Sequence, residues 1–259
     1  MRLGIGVEYN GQQFAGWEVQ RNAQTIQAHL ERALSRVADQ PVKTVCAGRT
    51  DAGVHAYGQV AHFDTQSHRT MRSWVFGANT HLPYTVRVTW ARPVLDTFHA
   101  RFSARMRHYR YIVYNRPVRP AVLNGCVAWE CRKLDEGRMH AAAVHLLGEH
   151  DFTSYRALSC QARHSVRTVY RLDIERRGEI LFIDVVANAF LHHMVRNIAG
   201  VLLAVGVGKR DPDWAREVLE ARDRTQGGVT AEPSGLYLMG VDYPAQFGIP
   251  RVSPPSGLW

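Results

Sequence analysis

The run Ala47–Ala56, reading Ala-Gly-Arg-Thr-Asp-Ala-Gly-Val-His-Ala, constrains the chain more than any other stretch. It sets one acid, Asp51, between Gly48 and Gly53, with Arg49 two residues earlier. Such a run reads as a turn, and its small residues let another molecule approach the backbone closely. Val42 to Ala47 reads as a strand feeding the turn and Gln59 to Phe63 as the strand leaving it. Asp51 is therefore expected on a connection between sheet elements, where functional groups are commonly displayed from a rigid scaffold. A guanidinium close to a carboxylate lowers its pKa by roughly 1–3 units. An Arg49–Asp51 pair would keep the acid ionised, as a nucleophile or an electrostatic clamp. The alternative is a turn whose Asp caps the backbone and whose Arg is solvated.

Periodicity extends the same pattern along the chain. Leu3, Ile5, Val7 and Tyr9 alternate as a strand, and Asn10-Gly11 marks a turn. Thr25 is placed to cap a helix with Ile26, Leu30, Ala33, Leu34 and Val37 on one face. A short helix is predicted over Met71–Asn79 and a strand over Tyr84–Trp90. In the second half, Arg107–Tyr114 alternates with Tyr109, Tyr111 and Val113 on one face. Asp135 caps a helix carrying Met139, Ala142, Ala143 and Leu146, ended by Gly148. Val166–Ile174 and Ile180–Ala187 form a hairpin about Arg177-Gly178. A third helix starts near His192, and a fourth at Asp211-Pro212. In the third, Arg196 lies opposite the apolar stripe, and Ala199 and Gly200 on its side let another backbone come close. Leu236–Tyr243 closes the pattern, and the tail from about 244 is irregular. Strands and helices in both halves predict an α+β fold: two α/β subdomains, 1–103 carrying the Asp51 loop and 104–259 completing the cleft, around a continuous, largely antiparallel mixed sheet.

The charge narrows the partner. The net charge is +9 over 259 residues, which points to a polyanion or an acidic membrane surface. No acid occurs between Thr97 and Trp129, where Arg101, Arg105, Arg107, Arg110, Arg116 and Arg119 fall. None occurs between Phe152 and Leu172, where Arg156, Arg163, Arg167 and Arg171 fall. Phe98-His99-Ala100-Arg101-Phe102 and Arg107-His108-Tyr109-Arg110-Tyr111 interleave rings with guanidiniums. Arginine neutralises phosphate and rings stack on unpaired bases, which is how splayed-out RNA is commonly held. The N-terminus has no secretory apolar core and no apolar run is long enough for a bilayer. The four cysteines include no Cys-x-x-Cys pair, so free thiols in a reducing cytosol are expected, and with them a cytoplasmic protein. His-Glu-x-x-His is absent and His192 and His193 are adjacent, so no metal site is expected.

Gly48-Arg49-Thr50-Asp51-Ala52-Gly53-Val54-His55 resembles the signature of the TruA family of tRNA pseudouridine synthases. The order of Phe14–Trp17, Thr25-Ile26-Gln27, Phe98–Phe102, Arg107–Tyr111, Asp151–Ser154, His192–Asn197 and Gly235–Leu238 agrees with it. Glu18 departs from the pattern, where the family more often has glutamine. The resemblance implies the pseudouridine synthase fold and the isomerisation of uridine to pseudouridine at positions 38, 39 and 40 of the tRNA anticodon stem-loop, without cofactor or metal. It implies Asp51 as nucleophile, Tyr109 against the extruded uracil, Leu238 in the substrate site, and Arg49 in the space the base vacates. It also implies that Arg196 pairs with Asp51, its guanidinium within about 4 Å of a carboxylate oxygen. Phe98, His99, Ala100, Arg101 and Phe102, with Ser159, Cys160, Gln161, Ala162 and Arg163, resemble the RNA-contacting segments. A homodimer with tRNA across both subunits is implied. Two rivals are a non-catalytic RNA-binding protein on this scaffold and a zinc deaminase, whose His-x-Glu and Pro-Cys-x-x-Cys spacing is missing here.

Overall fold

A computed structural model describes residues 1–251. Among these residues ten strands and five α-helices make the expected α+β fold. The chain divides into two compact units: Met1–Arg107 with the chain from Tyr237 onward, and His108–Leu236. The final strand thus belongs to the first unit rather than to the second half of the sequence.

In the first unit, β1 (Arg2–Tyr9) lies between β3 (His55–Asp64) and β4 (Val86–Pro93), antiparallel to both. β10 (Leu236–Asp242) runs parallel to β3, with Tyr237 opposite His55 and Leu238 opposite Ala56. The short β2 (Val45–Cys46) pairs with the other end of β3, opposite His62 and Ala61. Leu3, Ile5 and Val7 are buried, but so are Gly4 and Gly6 between them, where Trp90 lies close, so the strand expected to be half-buried is covered on both faces there. Helix α1 (Ile26–Ala38) is capped by Thr25 Oγ1, which accepts from Ala28 N, and buries Ile26, Leu30, Ala33 and Leu34. Helix α2 (Met71–His81) is capped by Thr70 and buries Trp74 and Ala78.

The strand predicted over Val42–Ala47 shrinks to two residues for an identifiable reason. Its first donors are taken by α1 rather than by a neighbouring strand. Val42 N donates to Ser35 Oγ at 2.9 Å, and Thr44 N to Glu31 Oε1 at 2.9 Å. Glu31 is 6% exposed and also accepts from Gln27, the Thr44 hydroxyl and Lys43. A buried carboxylate is tolerated when its lone pairs are filled in this way.

In the second unit the order is β5 (Met106–Asn115), β9 (Ile180–Ala187), β8 (Val166–Arg177) and β7 (Gly148–Asp151), with β6 (Ala128–Glu130) parallel to β5. The β8–β9 hairpin turns at Gly178, φ 60°, as its Arg-Gly pair predicts. Asp135 caps α3 (Glu136–Val144), accepting from Arg138 N. Helix α4 (Met194–Gly206) starts two residues after His192, because His193 is left-handed at φ 62°. Helix α5 (Trp214–Ala221) also starts later than Asp211-Pro212 suggests. Trp214 N and Ala215 N bond three residues back, so a tighter turn leads into it. The short β6 and β7 carry no period long enough to be read from sequence.

Glu31→Ala leaves the buried Thr44 amide without its acceptor and removes one of the two acceptors of Gln27 Nε2. The expected loss is about 2 kcal/mol of unfolding free energy, read as a lower urea midpoint at unchanged slope.

Candidate active site

Asp51 stands half-buried in the turn between β2 and β3, and the turn is fixed almost wholly through its backbone. Trp17 N donates to Thr50 O at 3.0 Å, Gly53 N to Phe14 O at 3.3 Å, and Val54 N to Asp51 O at 3.2 Å. Gln59 Nε2 donates to Gly48 O at 2.7 Å, and the Tyr9 hydroxyl bonds Thr50 Oγ1 at 2.8 Å. The segment from Gly11 to Trp17 lies against this turn at backbone distance. A Cβ on Gly16 would stand 2.7 Å from Thr50 O, and one on Gly11 would stand 1.9 Å from Val54 O. Gly16 and Gly53 both have positive φ, 95° and 77°. Gly48 and Thr50 before Asp51, and Gly53 and Val54 after it, are therefore held in place.

Arg49, two residues away, is 60% exposed and its guanidinium pairs with Glu18 at 2.5 Å. The arginine of the turn thus has the carboxylate of Glu18 as an ion partner, which the sequence reading did not foresee. At the root of the turn, His55 Nδ1 accepts from Gly11 N at 3.1 Å and its ring stacks on Tyr237, 4.6 Å between centroids at 20°. Leu238, beside Ala56 in the parallel pair, is fully buried.

The Phe98–Phe102 segment is a tight turn with two distinct sides. Phe98 and Ala100 are fully buried, and Phe98 packs against His62, Tyr243 and Phe247. Arg101 and Phe102 face solvent, Phe102 at 77% exposure with its ring stacked on His99. Imidazole nitrogens serve as acceptors throughout this turn. His99 Nδ1 takes Arg101 N and Phe102 N, both at 3.2 Å, and His62 Nδ1 takes Ala100 N at 3.2 Å. Tyr243 donates to Ala100 O at 2.6 Å, and Arg107 Nη2 to Arg101 O at 2.7 Å. A nitrogen that accepts from an amide is unprotonated. Burial, with the positive charge of Arg2, pushes His62 down to about 4, and burial lowers His99 as well.

The second unit carries the remaining candidates. Tyr109 is buried on β5, its ring meeting Phe190 edge-on at 4.9 Å. Arg196, in the first turn of α4, is half-buried and donates from Nε to Ala231 O at 2.8 Å. The side of α4 expected to admit another backbone does so, because Val229 O lies where a Cβ on Gly200 would be. Ser159 to Arg163 form a loop between the 3₁₀ turn Thr153–Tyr155 and β8. Ser159, Gln161 and Arg163 are exposed, and Cys160 and Ala162 half-buried. The Ser159 hydroxyl reaches His192 Nδ1 at 3.4 Å.

The acid-free arginine run separates into two groups. Arg107 is buried and donates to three carbonyls, those of Ala47, Arg101 and Ala104. Arg110 forms a two-pronged pair with Asp184, both bonds 2.7 Å and both side chains 15% exposed. Arg116 faces Glu179. Arg101, Arg105 and Arg119 are exposed.

Comparison with known proteins identifies the class. The family described as tRNA pseudouridine synthase matches residues 5–103 and 142–244. The tRNA pseudouridine synthase A of Nitrosococcus oceani is 55% identical over all of both chains. That of Methylococcus capsulatus is 57% identical over 97% of this chain and 93% of its own. That of Pseudomonas aeruginosa is 54% identical over 96% of this chain and 88% of its own. The chain belongs to the tRNA pseudouridine synthase family, a family of isomerases. No helix among the described residues is long and apolar enough to cross a membrane.

Several residues that build the site escaped the sequence reading. Tyr9 was visible only as the end of an alternating strand, Gln59 only as the start of one, and Gly11 only as half of a turn pair. His62 carried no signal, since a lone imidazole in a strand has many uses.

The His62 arrangement sets a pH dependence. The folded pKa lies below the ordinary value of about 6.5, so the unfolded chain binds the proton first as pH falls. Its contribution to stability is complete above about 6.5 and declines toward about 4. Thermal unfolding of the wild type should lose midpoint across that window, and His62→Asn, which retains an acceptor in place of Nδ1, should lose less.

Proposed function

We propose that this protein converts uridine to pseudouridine at positions 38, 39 and 40 of the tRNA anticodon stem-loop, with Asp51 as the nucleophile. The observation that supports the reading is the Asp51 turn, in which backbone bonds on both sides hold the residue that bears the carboxylate, within residues 5–103 that the family matches. Pre-organisation of this kind suits a nucleophile, because reaction then requires little rearrangement of the acid. The reaction is an isomerisation. The bond from ribose C1′ to N1 breaks, the uracil turns, a C1′–C5 bond forms, and the C5 proton is removed while N1 regains one. Nothing is oxidised or hydrolysed, so the residues need supply only detachment, retention and proton movement.

In this reading Asp51 drives detachment of the base, Tyr109 lies against the extruded uracil and assists the C5 proton, and Leu238 shapes the apolar side of the uracil site. Arg49 leaves Glu18 to occupy the space vacated by the base. Arg196 is the cation that keeps Asp51 ionised and fixes its orientation. Extrusion of the base costs a few kcal/mol, which phosphate contacts must offset. The exposed groups available for those contacts are Arg101 with Phe102, and the loop Ser159–Arg163 with Arg163 at its end. A homodimer with tRNA lying across both subunits, working in the cytoplasm, completes the reading.

Asp51→Asn, nearly isosteric but without a carboxylate, should abolish pseudouridine formation on unmodified tRNA while leaving tRNA affinity within a few-fold. Turnover within about tenfold of the wild type, a barrier change near 1.4 kcal/mol, would remove the nucleophilic role. A wild type that binds unmodified tRNA yet forms no pseudouridine would establish the non-catalytic alternative.

Affinity for tRNA should fall steeply with salt, because several phosphates are neutralised together. Arg101→Ala and Arg163→Ala should each weaken binding and flatten the logarithmic salt slope by about one charge. Arg107→Ala should instead lower stability, since its guanidinium serves internal carbonyls.

A further inference from the structure

We infer that the strap Gly228–Ala231, locked by Thr230, Asn197 and Arg224, positions the Arg196 guanidinium for the reaction; the inference rests on the role given to Arg196 above. Arg196 and Ala231 exchange two hydrogen bonds, Ala231 N to Arg196 O at 3.1 Å and Arg196 Nε to Ala231 O at 2.8 Å. Nε lies in the guanidinium plane, so a bond there restricts both the direction and the tilt of the planar fork. One helical turn later, Val229 O occupies the place a Cβ on Gly200 would need, at 1.9 Å. The strap backbone therefore lies directly along the face of α4 that carries Arg196.

Side-chain packing does little to press the strap onto the helix. The strap lines a cavity of about 460 Å³, shared with Leu203 and Ala204 of α4, Trp129 and Trp214. Val229, in the middle of the strap, is 87% exposed. A polar network does the holding. The Thr230 hydroxyl donates to Asn197 Oδ1 at 2.7 Å and accepts from Arg224 Nη2 at 3.0 Å. Arg224 Nη2 also reaches Asn197 Oδ1 at 3.1 Å and Gly228 O at 2.9 Å. Asn197 is 2% exposed, and its Nδ2 donates to Tyr155 O at 2.8 Å, which fixes the direction of its amide. The helix thus uses one residue, Asn197, to hold the strap, and the strap holds its sequence neighbour, Arg196. Thr230, Asn197 and Arg224 act on the reaction through Arg196, as positioning residues.

The test is a kinetic double-mutant cycle on the full chain with unmodified tRNA. Thr230→Val keeps the shape and removes both hydroxyl bonds. It should lower kcat about 10- to 100-fold, the scale of an ångström's misplacement, with KM for tRNA changed by less than about twofold. Thr230→Ser, which restores the hydroxyl, should recover most of the loss. In an Arg196→Lys background, which already lacks the fork, Thr230→Val should cost less than about twofold further. A structural role alone would give losses that multiply. If Thr230→Val does not accumulate as folded protein, Arg224→Ala at a half-exposed position gives the same comparison. Wild-type kcat in a folded Thr230→Val or Arg224→Ala, or multiplicative losses in the double variant, would overturn the inference and leave the role of Arg196 standing. Wild-type kcat in Arg196→Lys would overturn both.

Discussion

The docking of one backbone on another, Gly11–Trp17 against the Asp51 turn, is the contact on which the shape of that turn depends. It needs no side chain at Gly11 or Gly16, and a methyl group at either would stand within van der Waals exclusion of a carbonyl. Its rigidity comes from Trp17 N on Thr50 O and Gly53 N on Phe14 O, bonds between main-chain atoms. Tyr9 and Gln59 then tie the turn to β1 and β3. An acid displayed on such a support has a defined position before any substrate arrives, which is what precise chemistry demands of a loop.

Charge shows the same division between support and display. Arg107 and Arg110, read from sequence as members of one basic surface, are internal ties: one serves three carbonyls, the other Asp184. Arg101, only six residues before Arg107, has its carbonyl held by Arg107 and its own guanidinium in solvent. A buried arginine thus shapes the turn from which an exposed one is presented. A count of arginines overstates the surface charge because it cannot tell these uses apart.

The sequence was most legible where local rules and burial agree. The alternation of Leu3 to Tyr9, the Thr25 and Asp135 caps and the Arg177-Gly178 hairpin all appear where periodicity and capping chemistry put them. It misled where a distant side chain took the backbone donors, as Glu31 and Ser35 do before β2. Within the site, Asp51 was legible because its glycines and flanking strands are local in sequence. The Glu18 partner of Arg49 and the strap on α4 were not, because each joins residues about 30 apart through geometry that no period encodes. Phe98 and Ala100 show a further limit. A ring-and-arginine run reads as one surface, yet alternate residues of a tight turn enter the core.

The first unit is discontinuous in sequence, and that has a consequence for synthesis. β3 receives β1 along one edge, while its other edge is shared, β2 at Ala61–His62 and β10 at His55–Ala56. β1, β2 and β3 all emerge from the ribosome before the second unit is made, whereas Tyr237 and Leu238 come after it. Until then the start of β3 has β1 on one edge, with Tyr9 opposite Ala56, but no strand on the other, and His55 has no Tyr237 ring to stack on. An exposed strand edge of this kind invites mispairing, and it persists until β10 arrives. A nascent or truncated chain can hold Asp51 and most of the sheet around it, yet the strand edge beside its turn is closed only when the segment from Leu236 has been made.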